Sequence, residues 1–429
     1  MKLLIKNGRV IDPANNISRV KNILIDKGRI KSYPKNIKSL EKRREIKVID
    51  ASKLVVVPGL VDIHVHLREP GYEHKETIKT GTLSAAAGGF TSIACMPNTN
   101  PINDNASVTD YILLKAQTEG VVNVFPIGAI TKNEEGVELA EIGEMYEAGC
   151  VGISDDGMPV VNSNLMRRAM EYVRSFNIPV ITHSEDTYLS DNGVMNEGKY
   201  STLLGLKGIP NASEEVMIAR DINLSELTGT HLHICHVSTE GSVRIIKSAK
   251  KRGVKVTAEA TPHHFLLSDE EVLNYNTNAK MNPPLRTNKD VRAVQKGLKD
   301  GTIDIIATDH APHSEDEKNV EFDKAPFGIV GLESALPLSL MLRDSKMLTL
   351  NEIIEKLTVL PSKIINIDRG TLGKNKVADV TIFDPNEKIT IDKKKFYSMG
   401  KNTPFDNWKL KGKVKYTIVS GKIVYTDQI

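Results

Sequence analysis

Apolar positions along this chain fall into two textures. Over residues 1–57 and again over 368–429 they come in short alternating runs broken by turn residues such as Asn-Gly and Lys-Gly. Leu3–Lys6, Arg9–Ile11, Asn22–Ile25, Arg29–Lys31 and Lys47–Ile49 at one end, and Ala378–Phe383, Lys388–Ile391 and Val414–Val424 at the other, read as β-strands. Neither end has enough apolar length to bury a core of its own, so the two are expected to fold together as one small β-domain.

Between them, over 58–367, strand-like runs alternate with stretches of helical spacing. The strands expected are Val61–His66, Ser92–Met96, Val122–Ile127, Val151–Ser154, Pro179–His183, His231–His236, Lys255–Glu259 and Ile303–Asp309. Leu165–Phe176 and Ser242–Arg252 have the spacing of amphipathic crossover helices. Eight such units predict an α/β fold, a (β/α)8 TIM-like barrel over 58–367 with the composite β-domain of 1–57 and 368–429 beside it. An open doubly wound sheet is disfavoured, because no Gly-X-Gly-X-X-Gly follows the first strand.

At 429 residues the chain can bury a large core, and its net charge of +3 carries no basic stripe interleaved with aromatic residues, so nucleic acid is not an expected partner. The cluster Lys42-Arg43-Arg44, with Lys35 and Lys38 near it, reads as a solvated loop. The first residues lack the pattern of a leader and no long apolar run follows, so no membrane association is expected and the protein reads as cytoplasmic. Cys95, Cys150 and Cys235 are too far apart to suggest a disulfide framework and read as buried small residues.

The chemistry concentrates in the barrel. All 11 histidines lie between His64 and His313. His64 and His66, two apart at the end of a strand, face the same way and could chelate a metal, although such a pair alone is common in proteins that bind none. Context changes that reading: Asp155 or Asp156, His183, His236 and Asp309 also stand at strand ends, and in barrels of this type the strands' carboxyl ends converge on one mouth. Four histidines and two aspartates exceed the needs of one tetrahedral zinc and suit two ions sharing a carboxylate, which points to hydrolysis. His231 and His233 fall on the opposite strand parity to His236 and read as packing or supporting residues. His74 reads as a surface residue, and His263 and His264 lie after the seventh strand near the mouth, where one of them could orient the site.

Several segments together carry a resemblance: Asp62-Ile63-His64-Val65-His66-Leu67-Arg68-Glu69-Pro70-Gly71, Met96-Pro97-Asn98-Thr99, Ser154-Asp155-Asp156-Gly157, His236-Val237-Ser238-Thr239, Ala279-Lys280-Met281-Asn282-Pro283-Pro284-Leu285-Arg286 and Ala307-Thr308-Asp309-His310-Ala311-Pro312-His313. On these the chain resembles the type I dihydroorotases of the amidohydrolase superfamily, over nearly its whole length. The resemblance implies a split β-domain and metal ligands His64, His66, Asp156, His183, His236 and Asp309, with Asp156 bridging. Related hydantoinases and allantoinases bridge their metals with a carboxylated lysine, and no lysine occurs between Val151 and Gly157.

It further implies reversible interconversion of L-dihydroorotate and N-carbamoyl-L-aspartate, a step in making pyrimidines, with Asp309 as general acid and base. The substrate keeps a carboxylate, for which Arg68 offers a planar fork; His66, Asn98 and His313 complete that end, and Asn282 with the backbone of Phe327 and Gly328 the ring amide edge. Zinc is the expected cofactor, two ions or one per chain, and a homo-oligomer or a complex with aspartate transcarbamoylase the expected assembly. The competing readings are another cyclic amidohydrolase, allantoinase-like or hydantoinase-like, and a non-catalytic scaffold. The charged stretch 310–327 reads as a mobile loop over the mouth.

Overall fold

The structure, a computed structural model, describes residues 2–427. Its centre is a closed ring of parallel strands. Leu60–Val65, Phe90–Cys95 and Asn123–Pro126 pair side by side. Ile153 then bridges Gly128 to Val180, and Val180–Thr182, Leu232–Ile234, Val256–Ala260 and Ile305–Ile306 continue the ring. A bridge between His310 and Val65 closes it. This is the (β/α)8 barrel, with strands in chain order.

Most of the expected strands are trimmed at their ends, and two shrink to almost nothing. Val151–Ser154 contributes only the bridge at Ile153, and Ile303–Asp309 only Ile305–Ile306 before the bridge at His310. The chain leaves the ladder close to expected ligands: His236 and Asp309 have left-handed backbone, at φ +31° and +47°. Helices fill the crossovers. Leu165–Phe176 forms as helix Ser163–Val173 with a 3-10 turn after it, and Ser242–Arg252 as Glu240–Lys251. In the latter Val243, Ile246 and Ala249 are buried at helical spacing, Thr239 caps the start, and Lys250 and Lys251 occupy the last turn, where cations complement the helix dipole.

The chain ends meet in one eight-stranded mixed sheet. Val55–Pro58 lies between Lys2–Asp12, parallel to it, and Val380–Thr390, antiparallel to it, so the two ends of the chain are hydrogen-bonded to the same short strand. Leu3–Lys6 and Arg9–Ile11 are one strand with an irregularity between Ile5 and Gly8, and Val414–Val424 lies in a hairpin of Lys409–Val419 and Lys422–Thr426 turning at Gly421. Alternation sorts the side chains. Val55 and Val57 join the core shared with the barrel, whereas Val56 joins Leu3, Ile5, Ile23, Ile25 and Ile382 in the sheet's own core. The three cysteines are buried and free, and no described helix is long and apolar enough to cross a membrane.

Candidate metal centre

The six side chains expected as ligands meet at the carboxyl end of the barrel, each no more than 5 % exposed. The Nδ1–H of His64 donates to Glu259 Oε1 at 2.5 Å, and that of His66 to Asn98 Oδ1 at 2.8 Å. Each ring therefore turns its Nε2 inward. His64 Nε2 lies 3.4 Å from both Asp156 Oδ1 and Asp309 Oδ1, and His66 Nε2 3.2 Å from Asp309 Oδ1 and 3.4 Å from Asp156 Oδ2. Opposite them, His183 Nδ1 and His236 Nε2 are 3.0 Å apart and lie 4.0 and 3.9 Å from Asp156 Oδ1. One ligand atom from each of His64, His66 and Asp309 falls within 4.8 Å of the others, and so does the set His64, Asp156 and His236.

This arrangement fits a cation. With Nδ1–H already given away, a bare Nε2 on either ring would direct its lone pair at carboxylate oxygens, a repulsive contact that positive charge between them relieves and that a metal there would turn into two bonds. His64 Nε2 and Asp156 Oδ1 are buried with no hydrogen-bond partner, which is costly unless something else satisfies them. The local field makes the same demand. Burial opposes charge on His64, yet Cys235 and the carboxylates of Glu259, Asp309 and Asp156 raise its pKa well above the ordinary value. Burial likewise opposes ionisation of Asp309, but His64 and His66 hold it well below the usual carboxylate range.

The neighbouring aspartate is differently employed. Asp155 accepts from the backbone of Ile130 and Thr131 and from the Thr131 hydroxyl, at 2.7, 3.1 and 2.5 Å, and braces the preceding loop. His231 and His233 both contact Thr257 Oγ1 at 2.9 Å inside the barrel, and His233 Nε2–H donates to Glu259 at 3.0 Å. His264 is buried, its Nε2–H donating to the Pro283 carbonyl at 2.8 Å, and His263 packs against it. His74 is 60 % exposed at its side chain.

A cavity of about 340 Å³ opens over this cluster, lined by His66, Asn98, Asp156, His183, His236 and Asp309 below, and by Arg68, Asn282, His313, Phe327 and Gly328 at the sides. No lysine lines it. Arg68 Nε donates to the Pro312 carbonyl at 3.2 Å, and its terminal nitrogen is 3.4 Å from His313 Nε2. Several expected substrate contacts are already engaged within the protein: Asn98 with His66 and the Asp156 carbonyl, Asn282 with Glu185 at 2.8 Å, the Phe327 carbonyl with His313 at 2.8 Å, and the Gly328 N–H with the Lys280 carbonyl at 3.0 Å. Gly328 has φ +147°, and a Cβ there would stand 2.6 Å from the Ala311 carbonyl, so the wall closes only with glycine.

The stretch 310–327 is more ordered than its charge suggests. It holds a capped helical turn, Glu315–Lys318, and the Lys318 ammonium is buried against the carbonyls of Thr277 and Pro326 at 3.0 and 2.7 Å. Sequence reasoning also passed over Glu259 and Glu185. The signal was there for Glu259, which ends the run Lys255–Glu259 just as His183 and His236 end theirs. Its two oxygens take N–H groups from His64, His233 and the His236 backbone, and these hold its carboxyl ionised against the effect of burial. Glu185 accepts from His183 Nε2 at 3.0 Å.

Residues 53–242 match the family described as dihydro-orotase-like, and residues 291–425 the amidohydrolase family. A dihydroorotase of Geobacter metallireducens is 57 % identical, over 99 % of this chain and 100 % of its own length. One of Acetivibrio thermocellus is 55 % identical over 100 % of both. Among solved structures, an L-hydantoinase (dihydropyrimidinase) from Arthrobacter aurescens superposes with a TM-score of 0.88 at 24 % identity, covering 99 % of this chain and 96 % of that one. A D-hydantoinase from Thermus sp. gives 0.82 at 23 %, covering 99 % and 95 %. These two share the fold.

Proposed function

We propose that this chain, which belongs to the dihydroorotase family, interconverts L-dihydroorotate and N-carbamoyl-L-aspartate with the help of two metal ions, zinc being the ion best suited to the donors. The observation that carries this reading is the placement of Asp156. Its Oδ2 faces His66 while its Oδ1 faces His64, His183 and His236, so one carboxylate stands between two sets of donors. His66 and Asp309 stand on one side and His183 and His236 on the other, with His64 Nε2 within reach of both Asp309 Oδ1 and Asp156 Oδ1 between them. The absence of lysine from the cavity wall supports aspartate as the bridge.

Ions bound there would lower the pKa of water into the neutral range and polarise the amide carbonyl. The protein's own residues do the rest. Arg68, with His313 beside it, holds the substrate carboxylate and so fixes which carbonyl lies over the ligands. Asn282 faces the ring edge from the other side. Asp309, ionised, accepts the proton of the attacking water and returns it to the ring nitrogen as the amide opens; in ring closure it begins protonated and the transfers reverse. Asn98 and Glu259 fix the tautomers of His66 and His64.

The test is substrate choice. Dihydroorotate and carbamoyl aspartate should turn over while uncharged rings, hydantoin and dihydrouracil, do not, and Arg68→Met should lower kcat/KM for dihydroorotate by about a hundredfold or more. Turnover of hydantoin in preference to dihydroorotate would instead support a hydantoinase-like enzyme. We further propose residues 1–57 with 368–429, and 58–367, as the two folding units.

A further inference from the structure

One residue from a connection of the terminal β-domain reaches the edge of the cavity without lining it. Between strands Val380–Thr390 and Lys409–Val419 the chain makes an excursion to the mouth of the barrel. It is tied down there: Glu333 accepts from the N–H groups of Tyr397 and Ser398 at 2.7 and 3.1 Å, and the Ser398 hydroxyl donates to Glu76 at 2.5 Å. Asn402 lies further along this stretch and is 2 % exposed.

We propose that Asn402 is a positioning residue, whose side-chain amide locks the His313 backbone to the adjoining Ala311 and Gly328 segments and so fixes the wall of the substrate cavity that carries the His313 ring. Its Oδ1 accepts the His313 N–H at 3.0 Å, and its Nδ2 donates to the Ala311 carbonyl at 2.9 Å and the Gly328 carbonyl at 3.0 Å. Its own carbonyl accepts from the Val330 N–H at 2.9 Å. The orientation is fixed by chemistry, since the flipped amide would set oxygen against two carbonyls and NH2 against an N–H. Ala311 and His313 belong to the loop after the last barrel strand, and Gly328 to the segment that runs beside it, joined to it also by the Ala311 N–H and the Ile329 carbonyl at 3.0 Å. Asn402 thus sets where the His313 ring stands relative to Arg68 and to the Phe327 carbonyl, although it touches no substrate itself.

The inference rests on the dihydroorotase reading, and the experiment separates the two. Wild-type protein, Asn402→Asp and Asn402→Ala are compared for KM and kcat in both directions, metal per chain and Tm. Aspartate has the shape of asparagine and keeps the acceptor for His313, but opposes the carbonyls of Ala311 and Gly328. In both variants KM should rise roughly ten- to a hundredfold for dihydroorotate and for carbamoyl aspartate, with metal content unchanged and kcat within about threefold. Wild-type protein without activity on either compound overturns the function. Active wild type with unchanged KM in a folded variant overturns the role of Asn402, as does activity falling only in proportion to folded, metal-loaded protein. Failure of both variants to fold would make Asn402 a folding residue and would overturn the role as well.

Discussion

At the scale of the residue, the site depends on lone pairs being aimed. Glu259 accepts the Nδ1–H of His64 and thereby sends Nε2 toward Asp156 and Asp309. Glu259→Gln replaces an acceptor with an NH2 that must face an N–H, so metal affinity should fall about ten- to a hundredfold in a chelator competition with the fold intact; unchanged affinity would remove Glu259 from this role. Asp309→Asn should lose about a hundredfold or more of turnover. Hydrolysis needs ionised Asp309 and cyclisation its acid, so the two directions should show opposite pH trends; parallel trends would assign the proton to another group. His64, His66, His183 and His236 could be singled out in the sequence because strand ends converge in a barrel. The choice between Asp155 and Asp156 could not be made from parity, because the chain leaves the ladder after Ile153 and alternation no longer tells which side chain faces inward. Only the hydrogen bonds show Asp155 occupied by Ile130 and Thr131.

Elements carry a second lesson, clearest in the loop 310–328. Its run of charges reads as a mobile segment, but two lysines tie it down, Lys318 on the carbonyls of Thr277 and Pro326 and Lys280 on those of Phe322 and Asp323. The loop should therefore resist limited proteolysis even without ligand, and Lys318→Met should make it severalfold more sensitive. Rapid cleavage of the unliganded parent at this loop would show that these bonds do not hold it. Long-range contacts of this sort leave no periodic trace. Periodicity did expose the barrel strands and the helices, whose bounds shift by a few residues where caps such as Thr239 decide them.

For the whole molecule, the interleaving of the two chain ends was legible because neither could bury a core alone, and the shared strand Val55–Pro58 gives the reason in hydrogen bonds. The barrel interior adds a pH dependence. Burial, and then His233, lower the His231 pKa to about 4. An unfolded histidine titrates near ~6.5, so between these values the unfolded chain binds more protons, and stability should fall on acidification across this window. The slope from this group approaches about 1.4 kcal/mol per pH unit, and His231→Gln should flatten that part of the denaturation profile. A profile identical to the parent's would mean His231 is protonated in the fold. The most direct test of a metal-dependent dihydroorotase is metal per chain and dihydroorotate turnover measured on the same preparations of parent and His183→Ala protein. The expected result is turnover that tracks bound metal in the parent and is abolished in the variant, with its metal content reduced. Full turnover by the metal-stripped parent, or by His183→Ala, would contradict it.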